Sequence, residues 1–155
     1  MRSIFIFISI FLLQFYAVGV RANVSTHYEA VSVQLVEDAI EASKMKDTEK
    51  ALILYQQAMV ANPKNINAYL GLGYLHSQKG QYSLGMKYFD IALSIDPIDV
   101  NALEGRVLTN LKMNDLPAAR ESFSTMQQVC EVTLCEQLPR IAEAIEDYQL
   151  AEESN

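Results

Sequence analysis

Basic residues are few and never run together. The 155-residue chain holds twelve Lys and Arg against nineteen Asp and Glu, for a formal net charge of −7. Nucleic acid or an anionic membrane surface calls for a basic patch, so neither is expected as a partner. Histidine occurs only as His27 and His76. Neither has a second His, a Cys or a carboxylate at ligand spacing on a shared helical face, which argues against a metal site. No nucleophile stands with its base, and the plentiful carboxylates form no recognisable catalytic pair. The chain is therefore read as non-enzymatic, with no catalytic residue and no cofactor. Cysteine is limited to Cys130 and Cys135. Neither lies near the N-terminus, which disfavours a bacterial lipoprotein.

The one long apolar run is at the start. Residues 1–22, MRSIFIFISIFLLQFYAVGVRA, open with Arg2, run mostly apolar from Ile4 to Val20 and close on small residues. That is the layout of a secretory signal peptide, with cleavage expected between Ala22 and Asn23. An uncleaved anchor is the alternative, because 17 mostly apolar residues lie at the short edge of what spans a bilayer. Cleavage removes Arg2 and Arg21 and no acid, taking the formal charge from −7 to −9. After cleavage no membrane contact is expected. A short segment, 23–31, then leads into the folded part and carries the weak glycosylation sequon Asn23-Val24-Ser25.

From there a 34-residue period governs the chain. The stretch FDIALSIDP (89–97) answers YQQAMVANP (55–63), pairing Tyr55 with Phe89, Ala58 with Ala92 and Pro63 with Pro97. One period further stand Phe123, Met126 and Glu131, so a third copy persists without its proline. Three more columns agree: Ala51, Gly85 and Ala119; Ala39, Gly73 and Val107; Leu35, Tyr69 and Leu103. A small residue, an aromatic four positions on and a closing proline at this period resemble the tetratricopeptide repeat. The middle copy matches best, through Tyr69, Leu72, Gly73, Gly85, Phe89, Ala92 and Pro97, while Asp38, Ala42, Arg106 and Asn110 depart from the pattern in the flanking copies.

The resemblance implies an all-α solenoid of about three helical hairpins, 32–65, 66–99 and 100–131, with a loop and capping helix over 132–155. Helices are expected near 28–45, 48–61, 66–79, 82–95, 100–113 and 116–129, with Gly80 and Asn114 in left-handed turns. Each hairpin must stack to bury its apolar stripe. LPRIAEAIEDYQLAEE (138–153) serves as the cap, placing Leu138, Ile141, Ile145 and Tyr148 on one face and acids on the other.

Export makes a disulfide the expectation for Cys130 and Cys135. On one continuous helix, residues five apart point about 140° away from each other, so the bridge requires residues 131–134 to leave the helix. A redox pair is the alternative, although the spacing is not C-x2-C.

In this repeat family the first helix of each hairpin lines a concave groove. The corresponding residues are Val33, Val36 and Ile40; Asn67, Leu70 and Tyr74; and Asn101, Glu104 and Leu108. Relatives that hold chaperone tails clamp a carboxylate with Lys, Asn and Arg, yet those places here hold Val36, Ile40, Gly71, Asn101 and Gly105. An extended or amphipathic peptide held by apolar contacts, with Asn67 and Asn101 on its backbone, fits better. Small exported members of the family in Gram-negative bacteria often carry a cysteine pair before a short last helix, and this chain resembles them in that respect. That likeness implies a periplasmic scaffold or adaptor in envelope or secretion-system assembly. The alternatives are a chaperone for apolar segments of secreted proteins and a membrane-anchored adaptor. A homodimer through the N-terminal face is a further expectation.

Overall fold

The computed structural model describes residues 26–132 and 134–154. The expected signal peptide (1–22), its cleavage site and the Asn23 sequon lie outside them. Helix α1 covers 26–44. Then come α2 (Thr48–Ala61), α3 (Ile66–Gln78), α4 (Tyr82–Ile95), α5 (Val100–Lys112), α6 (Leu116–Cys130) and α7 (Leu138–Glu153). The described residues contain no strand. Successive helices pair as three hairpins, and α7 packs on both α5 and α6. The architecture is the three-hairpin solenoid with a terminal cap that the period predicted. No described helix is long and apolar enough to cross a membrane.

The same local devices recur every 34 residues and explain where each helix starts and stops. Inside each hairpin the turn uses one left-handed residue, Lys46 (φ 61), Gly80 (φ 74) or Asn114 (φ 58). The amide after it bonds back five residues, Asp47 to Ala42, Gln81 to His76 and Asp115 to Asn110, each at 2.9 Å. These are Schellman closures, which satisfy the last carbonyls of the first helix. Asp47 and Asp115 then cap the second helix, accepting from the Lys50 and Ala118 amides. Between hairpins, Asn62 and Asp96 precede Pro63 and Pro97 and are extended, at φ −138 and −132. The proline ring forbids the helical alternative there. Glu131 has no proline after it and keeps helical angles (φ −68, ψ −29), so α6 continues through Cys130 before it ends.

Packing follows from small residues set against aromatics. Phe89 is fully buried between α3 and α5, where a Cβ on either Gly73 or Gly105 would collide with its ring. Tyr55 occupies the equivalent seat one repeat earlier against Gly71. Ser32 joins the first hairpin to the second: its hydroxyl donates to the Ala58 carbonyl and accepts from the Asn65 amide, both at 2.8 Å. At the other end Ile141 and Ile145 of α7 close the core formed by Leu103, Val107, Leu111 and Met126.

The N-terminal edge is closed differently. Ala68, Leu72 and Leu75 of α3 are buried against the first hairpin. One period earlier stand Gln34, Asp38 and Glu41, all exposed, with Glu37 exposed at the place of Gly71. Polar side chains thus occupy the seam into which a preceding repeat would pack. The homodimer expected through this face would set Glu37, Asp38 and Glu41 of one copy against those of the other, a repulsive arrangement.

Candidate functional site

The hairpins curve because their two helices are not equivalent. Helix α3 touches α5, and α5 touches α7, whereas α2, α4 and α6 make no such contacts with one another. The first helices therefore crowd together on the inner side, and the second helices splay outward. Side chains of α1, α3 and α5 face the concavity.

The nine residues assigned to this face fall into three columns with different fates. Val33 (49% exposed) is open, as are Asn67 and Asn101 one and two periods on. Ile40 (41% exposed) is open as well, while Tyr74 and Leu108 in its column are half-buried. The middle column, Val36, Leu70 and Glu104, is buried and does not line an open groove. Its side chains sit where each first helix leans on the next. Val36 packs with Ala68 and Leu72, and Leu70 with Phe89 and Ala102.

Glu104, a carboxylate in that buried column, needs a partner, and α7 supplies it: Arg140 donates to its Oε1 at 2.5 Å. Gln137, the residue just before α7, donates to the Asn101 side-chain oxygen at 3.2 Å. Tyr74 donates to the Asn101 carbonyl at 2.8 Å and sets its ring edge-on to Phe89, with centroids 5.1 Å apart. Burial, and then the nearby carboxylates of Glu104 and Asp99, push the Tyr74 hydroxyl pKa well above its ordinary value, so it stays a neutral donor. The C-terminal third of the concave face is thus a hydrogen-bonded network fastened to the cap. The contributions of Gln137 and Arg140 were not read from the sequence. They stand 36 residues after Asn101 and Glu104, two beyond the period, so column matching at 34 misses them.

Cys130 and Cys135 form a disulfide, with Cα atoms 5.5 Å apart. The helix ends at Cys130, which is the break such a bridge requires. His76 is an interior residue, stacked on Tyr88 with Nδ1 2.6 Å from Gln81 Oε1. The described residues contain no group of three His, Cys, Asp or Glu placed to hold a metal.

Comparison with known proteins agrees with this architecture. Residues 54–85 match the family model described as tetratricopeptide repeat. Superkiller protein 3 of Schizosaccharomyces pombe is 29% identical over 93 residues, which is 60% of this chain but 7% of that protein. The chain therefore spans a small fraction of that relative's length. Among solved structures, the Yersinia enterocolitica type III secretion translocator chaperone SycD is 20% identical at a TM-score of 0.73, covering 80% of this chain and 96% of that one. The first repeat domain of Spaghetti (RPAP3), bound to the HSP90 peptide SRMEEVD, is 14% identical at a TM-score of 0.64, covering 76% and 95%. At these identities the likeness is one of fold. Three stacked hairpins with their recurrent turns, a capping seventh helix and the matched repeat give this chain the tetratricopeptide-repeat fold.

Proposed function

We propose that the chain is an exported, non-enzymatic scaffold or adaptor that holds an extended segment of another protein on its concave face. Tetratricopeptide-repeat proteins are protein-interaction scaffolds, and the Spaghetti domain of the same fold holds a peptide. The observation that carries the reading is the open strip of Val33, Ile40 and Asn67 across α1 and α3. Apolar side chains left in water beside a free amide suit a peptide that buries alternate side chains and bonds through its backbone.

The Lys and Arg carboxylate clamp is absent from the corresponding places, so an acidic chain terminus is not the expected cargo. An apolar segment of a secreted protein, held as a chaperone holds it, is the second reading, and the exposure of Val33 and Ile40 favours it. Export rests on residues 1–22, and a periplasmic site with a part in envelope or secretion-system assembly rests on that segment together with the Cys130–Cys135 bridge.

The test is a pair of double variants expressed in the source cell. Val33→Asp with Ile40→Asp is expected to reduce recovery of the bound partner by at least about tenfold, the effect of placing charge in an apolar contact. Ile53→Asp with Val60→Asp, on still more exposed positions of α2, is expected to leave recovery unchanged. Equal loss from both pairs, or from neither, would sink the groove reading. Intact mass of the same samples checks export: a chain beginning at Asn23 is expected, and one that retains residues 1–22 contradicts cleavage.

A further inference from the structure

We propose that the concave face selects a cationic side chain, an Arg or Lys of an extended peptide, which displaces Arg140 from Glu104 and rests against Tyr74. This rests on the groove reading above and names the chemistry of its cargo.

The Glu104–Arg140 pair is lopsided. The Glu104 side chain is 9% exposed and the Arg140 side chain 63% exposed. The acid is desolvated and held within α5, against the neighbouring first helix, while the base reaches in from the surface of α7. A buried carboxylate cannot be left alone, because an unpaired charge there is strongly destabilising. A surface arginine, by contrast, gives up a pair with water at little cost. The acid is therefore the fixed half of the site and the guanidinium the exchangeable half. Arg140 already shows which chemistry the site accepts.

The surroundings point the same way. Asp99 and Glu104 both bear electrostatically on the Tyr74 hydroxyl, and Arg140 is the one positive group that opposes them. When Arg140 swings out, two carboxylates and an aromatic ring remain with no compensating base. An incoming guanidinium or ammonium meets complementary charge beside the Tyr74 ring. Exposed Asn67 lies on the adjacent helix, where its amide reaches the peptide backbone. The chain's net charge of −7 favours the approach of a basic segment.

The experiment uses fluorescence anisotropy of the purified full chain with four labelled hexapeptide pools. Each pool fixes its third residue as Arg, Lys, Gln or Glu and draws the other positions from uncharged amino acids. The Arg and Lys pools are expected to bind about tenfold or more tightly than the Glu pool, the scale of one close charge pair. Glu104→Gln, nearly the same shape, brings that ratio towards one. Arg140→Gln removes the internal competitor and tightens the Arg pool by about fivefold, somewhat less than a full pair because the displaced arginine is solvent-exposed. A purely structural pair would not give this opposite pattern.

Binding that Val33→Asp with Ile40→Asp abolishes, yet that shows no preference for Arg over Glu, overturns the cation proposal and leaves the groove reading intact. No binding of any pool overturns both. Weaker binding of the Arg pool by Arg140→Gln overturns the exchange. If either variant does not fold, as judged by circular dichroism, the Arg-over-Glu preference of the parent chain decides.

Discussion

Phe89→Ala is expected to cost about 3–5 kcal/mol, the upper range for a large buried side chain replaced by alanine. The reason is the seat. Phe89 is fully buried between Gly73 of α3 and Gly105 of α5, and neither glycine has a side chain that could move into the space the ring vacates. Collapse would require two helices to close on each other while their other contacts hold them apart. Single domains have total stabilities of roughly 5–15 kcal/mol, so this loss is a large share of the whole. Thermal unfolding should shift down by on the order of 10 °C for a chain of this size.

Gly105→Ala tests the same seat from its wall. Alanine favours a helix over glycine by about 1 kcal/mol, but the new Cβ collides with a ring that Gly73 hems in on its far side. Overpacking of about 1–3 kcal/mol therefore wins, and the variant is expected to be less stable than the parent. Gly71→Ala meets the buried Tyr55 ring at the same range, so a loss of the same order is expected. A urea midpoint for Gly105→Ala at or above that of the parent would contradict this packing. Because Phe89 also holds the Tyr74 ring edge-on, folded Phe89→Ala molecules should bind the cargo less well too.

The second large effect is expected from Ile141→Asp. Ile141 is fully buried beneath α7 among Leu103, Val107, Leu111 and Met126. Removing the side chain forfeits about 1.5–3 kcal/mol of burial, and an unpaired carboxylate at the same point adds to the loss. The cheapest response is for α7 to leave, which also breaks the bonds from Gln137 to Asn101 and from Arg140 to Glu104. Hydrogen exchange should then show the amides of α7 unprotected and those of α5 weakened, with α3 still protected. Uniform loss of protection along the chain would show that the cap is not a separable unit.

Much of this molecule was legible in its sequence because the period repeats the same physical devices. The proline columns fixed where α2 and α4 stop, and the helix limits agree with expectation to within two residues. Gly80 and Asn114 were readable as left-handed because glycine and asparagine tolerate that region. Lys46 in the third such turn was not, since lysine carries no such signal; its column with Gly80 and Asn114 does. Gly71 and Gly105 stand at places of the family's carboxylate clamp, whereas here they are seats for Tyr55 and Phe89.

The middle groove column was the larger miss. Facing the concavity and being open to it differ once neighbouring first helices lean together, and sequence spacing reports only the first. The hold of α7 on Asn101 and Glu104 was hidden for another reason. The loop closed by Cys130 and Cys135 shifts α7 out of the 34-residue register, so the residues that meet do not align.

The measurement closest to the central claim is photo-crosslinking in the source cell with the probe at Asn67, followed by mass spectrometry of the adduct. Asn67 is the better position than Tyr74, whose hydroxyl supports α5. The account predicts one discrete adduct from Asn67 that disappears when the probe is moved to Lys87 on the exposed outer side of α4. The same adduct from both positions, or an adduct from Lys87 alone, would contradict a working surface on the concave face.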